Sequence, residues 1–392
     1  MRLLHTSDWH LGRSLHQHDL SAAQAALVDH LVEVVRAERV DAVLLSGDVH
    51  DRALPPVEAM QLFDEALGRL RDAGAAVVAI SGNHDAPARL GDKSGLLDPR
   101  IALRTDPRRV AEPVLLEDRD GPVAFYAVPY LEPAAVRDLL PGPPDPDGDV
   151  APPGAGAGAH TRVLSRALRA VHADRTERGG RSVVLAHAWV TGGEGSDSER
   201  DITVGGVANV PAALFDGVDY TALGHLHRPQ ALAEGLRYSG SPLPYSFSEA
   251  AHDKSSWLVE LSATGLESVR AVAAPVHRRL SRLRGTLSDL LTSRAYDGQE
   301  GEFVAVVLTD PVRPLDAMSA LQRRFPHALT LEHEPAGGHQ DDGSSYAART
   351  RGRSDLQVAE SFVGHVRSAP SPRDAQLLRD ALEAARQHEG AA

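Results

Sequence analysis

The stretch Ala42-Val43-Leu44-Leu45-Ser46-Gly47-Asp48-Val49-His50-Asp51 decides the fold. Four apolar residues stop abruptly at Ser46-Gly47, the pattern of a buried strand running into a tight turn. Two carboxylates, Asp48 and Asp51, follow at once. In an open α/β sheet, sites are built in the crevice beyond the carboxyl ends of the strands. A carboxylate has two oxygens, so Asp48 at a strand tip can bridge two cations.

The same arrangement recurs on either side. Upstream, Leu3 to Thr6 opens as a strand and leads into Asp8-x-His10. Extended residues two apart face the same way, so both side chains can reach one ion. Residues 20–38 follow with Leu20, Ala23, Leu27, Leu31 and Val34-Val35 on one helical face. Downstream, Pro55-Pro56 opens a helical pattern from Val57 to Ala73, Gly74 punctuates it, and Ala75 to Ile80 forms a third strand. That strand runs straight into Ser81-Gly82-Asn83-His84-Asp85. Three strand–helix units thus each deliver potential ligands at a strand end.

Further strands are expected at Val123 to Val128, at Val183 to His187, at Tyr220 to His227 with its His225-x-His227 ending, and at Trp257 to Leu261. Residues 161–177 look helical. Residues 141–159 are rich in Pro, Gly, Ala and Asp and read as a flexible insertion. After about Ala274 the character changes. Residues 276–284 are strongly basic, 302–308 form a strand and 315–325 a helix, the outline of a small α/β domain. Residues 335–354, with Gly337-Gly338, Arg349, Arg351 and Arg353, read as a linker. Residues 371–387 form an amphipathic helix with Leu377, Leu378, Ala381, Leu382 and Ala385 on one side. The expected domains are therefore 1–274, 275–334 and 335–392.

The chain of 392 residues is long enough for two or three domains. It contains no cysteine, which excludes disulfides and thiolate metal sites. Any transition metal must be held by His, Asp, Glu and Asn. A net charge of −13 argues against a nonspecific polycation. It leaves room for a nucleic-acid enzyme whose local field comes from metal ions and clustered Arg. The start lacks the apolar core of a signal peptide and no stretch reaches the ~20 apolar residues of a membrane span, so a cytoplasmic protein without membrane contact is expected.

The strand ends together offer Asp8, His10, Asp48, Asn83, His84, His187, His225 and His227. A lone histidine near a core strand is ordinarily a satisfied structural residue. This many at strand ends of one chain point to a metal centre. Mixed oxygen and nitrogen ligation suits Mn²⁺, Fe²⁺ or Zn²⁺, with Mn²⁺ favoured where oxygens are prominent. One ion cannot use so many ligands, whereas two ions about 3.5–4 Å apart sharing Asp48 use them naturally and suit phosphate ester hydrolysis.

Asp8-x-His10, Gly47-Asp48-x-x-Asp51, Gly82-Asn83-His84-Asp85, His187 and Gly224-His225-x-His227 resemble, in that order, the calcineurin-like metallophosphoesterases. Within that family, residues 46–56 (SGDVHDRALPP), 128–132 (VPYLE) and 238–250 (YSGSPLPYSFSEA) resemble the SbcD branch, the nuclease subunits of bacterial SbcC–SbcD DNA-repair complexes. The resemblance covers residues 1–285 well and the remainder only in layout. It implies an α/β fold: a metallophosphoesterase β-sandwich flanked by helices, with a small α/β capping domain and a helical C-terminal tail.

The resemblance also implies the site. Asp8, His10, Asp48 and His227 would hold one Mn²⁺, and Asp48, Asn83, His187 and His225 the other, with Mg²⁺ or another divalent ion able to substitute. His84 would contact the scissile phosphate, as an acid toward the leaving oxygen or as a stabiliser of the transition state. Asp51 and Asp85 would stand behind these groups and orient a histidine, although Asp85 can equally serve its own turn by hydrogen bonds. The implied substrate is DNA, cut at double-strand ends and at single-stranded or hairpin sites. The implied partner is an SbcC-type coiled-coil ATPase docked by the C-terminal helices, around a homodimer within a heterotetramer.

Arg278, Arg279, Arg282 and Arg284 can meet DNA phosphates, or simply form a solvated basic face. The apolar side of 371–387 fits packing on its own domain as well as binding a partner. His50 stands where an apolar or aromatic residue is expected and reads as a partly exposed turn residue; His16 and His18 read as surface residues. Two other functions stay in view. One is a small-molecule phosphodiesterase, against which the region after residue 275 argues. The other is a non-catalytic DNA-end scaffold, which has no physical need of His84 and a full ligand set.

Overall fold

The computed structural model describes residues 1–92, 94–142, 158–199, 209–335, 353–366 and 370–389. Residues 143–157, the body of the expected insertion, and 336–352, most of the expected linker with Arg349 and Arg351, lie outside them. The chain divides into two compact units, Met1–Ser281 and Arg282–Ala392.

The first unit is a sandwich of two six-stranded sheets. Its strands are β1 (Arg2–Thr6), the small hairpin β2 (Ser14–Leu15) and β3 (His18–Asp19), β4 (Ala42–Ser46), β5 (Ala76–Ile80), β6 (Ile101–Arg104), β7 (Val114–Asp118), β8 (Gly121–Val128), β9 (Arg181–His187), β10 (Tyr220–Gly224), β11 (Gln230–Ala233), β12 (Leu236–Tyr238), β13 (Ser255–Ser262) and β14 (Gly265–Ala273). One sheet has the order β14-β13-β1-β4-β5-β6, the other β11-β12-β10-β9-β8-β7. Strands β1, β4, β5 and β6 run parallel, as do β8, β9, β10 and β12, so their carboxyl ends gather at shared edges.

Alternation along the central strands builds the layers. Leu3, Ala42, Leu44, Ala76, Val78 and Ile80 face Val123, Phe125, Val183, Leu185, Tyr220 and Ala222 across the sandwich. The intervening residues Leu4, Val43, Leu45, Val77 and Ala79 face outward onto α1 (Ser21–Glu38) and α2 (Val57–Asp72). Ala124, Tyr126, Val184 and Ala186 of the second sheet do the same onto α5 (Ala159–Arg178). Two short helices, α3 (Pro87–Leu90) and α4 (Pro133–Val136), each begin at a proline that pre-sets the first helical φ. Strands covered on both faces read as continuous apolar runs, which makes them legible in the sequence. The edge strands β6, β7 and β14 carry mixed exposure and little apolar signal, and none of them is expected from the sequence.

The chain enters the second unit along β15 (Leu280–Gly285), which forms a three-stranded sheet with β16 (Phe303–Leu308) and β17 (Ala328–His333), accompanied by α6 (Leu287–Thr292) and α7 (Ala317–Arg324). Leu283, Leu290, Val304, Val306, Leu308, Leu321 and Phe325 form its core. Two helices follow, α8 (Asp355–Val366) and α9 (Pro372–Glu389), which pack on each other and expose Phe362 and Leu377. Among the described residues, no helix is long and apolar enough to cross a membrane.

Candidate metal centre

The loops after β1, β4 and β5 meet those after β9 and β10, and the backbone there is unusual. Asp8, His10, Asp48 and His225 have φ of 55°, 45°, 49° and 105°. Non-glycine residues held in the left-handed region cost on the order of 1–3 kcal/mol each, and such strain persists only where the surroundings over-determine it. The amides of Asp8, His10 and Leu11 donate to the carbonyls of Gly47, Asp48 and Val49 at 3.0, 3.0 and 2.9 Å, zipping the first loop to the second. The Asp85 carboxylate accepts from the amides of Gly82, Val49 and His50 at 2.9, 3.1 and 2.9 Å, tying the second loop to the third. Close approach requires glycine at the joints. A Cβ on Gly82 would overlap Asp48 Oδ1, and one on Gly224 would overlap the carbonyl oxygen of Ser46.

These loops bring all seven candidate ligands together. Donor atoms lie within 4.8 Å of one another in each of three groups: Asp8, His10 and His227; Asp8, Asp48 and His187; and His10, Asp48 and His84. Asp48 Oδ1 accepts from the His84 amide at 2.9 Å, which leaves Oδ2 3.6 Å from His10 Nε2 and 3.5 Å from His187 Nε2. That oxygen therefore stands between the two halves of the cluster. Asn83 Oδ1 lies 2.8 Å from His187 Nε2 and 3.1 Å from His225 Nδ1, and the Nε2 atoms of His10 and His227 are 3.1 Å apart.

The donor set fits divalent cations. Both ring nitrogens of His187 face acceptors, Ser46 O at 2.9 Å and Asn83 Oδ1 at 2.8 Å. A neutral imidazole has one N–H, so with that proton on the Ser46 carbonyl the His187 Nε2 turns its lone pair toward Asn83, the arrangement of two side chains that ligate one cation. Burial, reinforced by neighbouring histidines, pushes the pKa of His10 and His225 well down and keeps their lone pairs free. Burial, then the nearby Asp48, pushes that of Asp8 up. Carboxylates crowded among neutral imidazoles form a site that a divalent ion completes.

His84 is placed differently. Its Nδ1–H donates to the backbone carbonyl of Asp51 at 2.7 Å, and its Nε2 has no hydrogen-bond partner. The orienting group is thus a carbonyl and neither carboxylate. The Asp51 carboxylate lies instead 3.8 Å from His10 Nδ1 and 3.6 Å from Arg13 Nε, and Asp85 serves the turns. His50 departs from its expected exposure. It is 7% exposed, with its ring edge-on to Phe63 at 5.5 Å, because its amide is drawn inward to Asp85. His16 is exposed and His18 half-buried. Arg278 is half-buried, Arg279 and Arg282 are exposed, and Arg284 is exposed and paired with Glu334 at 2.6 Å.

Sequence reasoning misses four polar residues packed around His227: Ser198, Glu199, Glu249 and Lys254. Glu249 is buried at 1% exposure. Burial alone would raise its pKa, but His227 and the Lys254 ammonium outweigh that and hold it well below the usual carboxylate range. Its signal is present in the sequence, since residues 238–250 stand out there with no role assigned to their polar side chains.

The family profile described as calcineurin-like phosphoesterase matches residues 1–229, the region that carries every one of these ligands. The chain belongs to the calcineurin-like phosphoesterases. A second profile, SbcD_C, described as the type 5 capsule protein repressor C-terminal domain, matches residues 276–366. A calcineurin-like phosphoesterase domain followed by this one is consistent with an SbcD nuclease subunit. Solved structures similar to the chain include TT1561 of Thermus thermophilus, at 14% identity over 70% of this chain and 99% of that one with a TM-score of 0.39. A dimetal phosphatase from Danio rerio is similar at 12% identity, over 70% and 99%, with a TM-score of 0.39. Family membership makes the protein a metal-dependent hydrolase of phosphoester bonds.

Proposed function

We propose that the chain is a Mn²⁺-dependent DNA nuclease, an exonuclease on double-stranded ends and an endonuclease on single strands and hairpins. It acts in the cytoplasm with an SbcC-type ATPase in DNA repair. The observation that carries this reading is the convergence of Asp8, His10, Asp48, Asn83, His187, His225 and His227 in one cluster, with Asp48 Oδ2 between His10 and His187, in a chain that also carries the SbcD_C domain. Asp8, His10, Asp48 and His227 would hold one ion, and Asp48, Asn83, His187 and His225 the other. A divalent pair supplies Lewis acidity, activating water and neutralising charge on the phosphate.

The chain's own residues do the rest. Asp48 fixes the spacing between the two halves. With Nδ1–H committed to the Asp51 carbonyl, His84 has only Nε2 to offer; when the ring carries a second proton there, it donates that proton to the leaving oxygen, or a hydrogen bond to the phosphate, and returns to the neutral Nδ1–H form. Within the basic cluster the exposed Arg279 and Arg282 suit contact with backbone phosphates, whereas Arg284 is paired with Glu334. The exposed Phe362 and Leu377 on α8 and α9 suit the partner ATPase.

The test is cleavage of linear duplex DNA beside a bis-phosphate ester dye, with Mn²⁺ or Mg²⁺, by wild type, His84→Ala and Asp48→Ala. The expected result is Mn²⁺-dependent DNA cutting. It should be lost with Asp48→Ala together with metal binding, and reduced about 10²–10⁴-fold with His84→Ala while metal binding is retained. Cleavage of the dye but never of DNA, even with the ATPase present, would replace the nuclease by a small-molecule phosphodiesterase.

A further inference from the structure

Residues 238–250 fold around His227 without supplying a ligand. Gly240 passes so close that a Cβ there would lie 2.7 Å from the His227 carbonyl oxygen, and the Tyr245 ring stands 5.9 Å from the His227 ring. Glu249 is buried among them. We propose that Glu249, acting through the hydroxyl of Ser198, is a positioning residue that fixes His227 as the Nδ1–H tautomer and so presents its Nε2 lone pair to the metal. This rests on the metal assignment made above.

The proton count decides the tautomer. Ser198 Oγ lies 2.6 Å from His227 Nδ1 and also bonds Glu249 Oε1. A carboxylate only accepts, so the one hydroxyl proton of Ser198 goes to Glu249. Ser196 Oγ is 3.0 Å from Ser198 Oγ, but its own proton goes to Glu199 Oε2 at 2.7 Å. The remaining lone pair of Ser198 must therefore receive Nδ1–H from His227. Glu249 Oε1 itself is 3.3 Å from the same nitrogen.

The other atoms of His227 are held as firmly. Its amide donates to Glu199 Oε1 at 2.7 Å, and its carbonyl accepts from Lys254 Nζ at 2.9 Å. Lys254 Nζ also donates to Ser241 Oγ at 2.9 Å and to the second oxygen of Glu249. Every polar atom of His227 but Nε2 is accounted for, and Nε2 faces His10. His187, by contrast, rests its Nδ1 on the neutral carbonyl of Ser46. A carboxylate behind an imidazole fixes its orientation and raises its basicity, and losing such a partner typically costs about 10–100-fold in metal affinity.

The test uses the full-length protein. Ring ¹⁵N shifts of His227 are measured without metal, and Mn²⁺ affinity by calorimetry, for wild type, Ser198→Ala, Ser198→Thr and Glu249→Gln. Wild type should show Nδ1–H. Ser198→Ala and Glu249→Gln should lose that preference and weaken one of two Mn²⁺ sites about 10–100-fold, and Ser198→Thr should restore both properties. If Glu249→Gln fails to fold because Lys254 loses its partner, Ser198→Ala decides, since it leaves the Glu249–Lys254 pair intact. An Nε2–H tautomer in wild type, or folded variants with unchanged tautomer and Mn²⁺ affinity, would overturn the proposal alone. A wild type that binds no Mn²⁺ would overturn the metal reading beneath it.

Discussion

Asp8, His10, Asp48, Asn83 and His84 come from the first sheet and His187, His225 and His227 from the second, and the two halves of the centre are held by different means. In the first half the backbone does the positioning. Left-handed φ values at Asp8, His10 and Asp48, a feature that His225 shares in the second half, combine with loop-to-loop amide bonds and the three amides on Asp85 to set where the ligands point. In the second half the side chains lean on other groups: His187 on Ser46 O, His227 on Ser198 and Glu249. The backbone devices lie inside the short motifs that carry the ligands. Ser198 and Glu249 lie outside those motifs.

The halves meet at Gly224, and that joint offers the sharpest way to break the comparison. Gly224→Ala drives a Cβ into Ser46 O and places it 2.9 Å from His187 Nδ1. Both halves must then separate, and a displacement near 1 Å costs on the order of 10²-fold in rate. Overpacking should add about 1–3 kcal/mol of destabilisation. Phosphodiester hydrolysis and a urea melt check both numbers. Gly68→Ala in α2, where a Cβ meets nothing within 4 Å, is the control and should leave activity unchanged.

Asp85→Asn tests the first half by itself. An amide group cannot accept from all three backbone donors, and one amide hydrogen would oppose an N–H. The expected loss is about 1.5–3 kcal/mol, the range for hydrogen bonds to a charged group, measured by urea denaturation of metal-free protein. The His227 tautomer should not change. If it did, the two halves would share one support rather than two.

Legibility follows the same division. The strands β1, β4, β5, β9 and β10 are readable because burial on both faces leaves uninterrupted apolar runs that end beside a ligand. Asp8, His10, Asp48, Asn83 and His84 stand out because strain and close approach demand Gly47, Gly82 and short polar residues at adjacent positions. Ser198 is silent, and Glu249 is marked only by lying in the stretch 238–250, with nothing that singles out its side chain. A serine in a polar stretch and a glutamate after Ser-Phe-Ser have no periodic or spacing signal, and their role exists only once β9, β10 and β12 bring residues 198, 227 and 249 together. His50 misleads for a related reason. Its burial depends on Phe63 of α2 and on Asp85, neither visible from the turn that carries it.

His5 offers the finest test, because it joins the halves just beneath the centre without belonging to it. It lies on β1, with Nδ1 2.9 Å from the Tyr220 hydroxyl and Nε2 3.1 Å from Leu223 O, both on β10. Burial pushes its pKa down to about 3, and the Leu223 carbonyl pulls the other way too weakly to restore it. The unfolded chain binds a proton at His5 near pH 6.5, whereas the native state refuses it until about pH 3. Between those values the unfolded state holds more protons, so stability falls as pH drops, by up to ~1.4 kcal/mol per pH unit. Above pH 6.5 the contribution is fully present. Other buried histidines titrate in metal-free protein, so the quantity to read is the difference between wild type and His5→Gln in urea melts from about pH 7.5 to about pH 4, a span that brackets the unfolded-state titration. Wild type should lose stability more steeply below pH 6.5 than the variant. Parallel curves would mean that the folded protein keeps a protonated imidazolium between β1 and β10, and the neutral strap between the two halves would become a buried cation set against the ions the centre is built to hold.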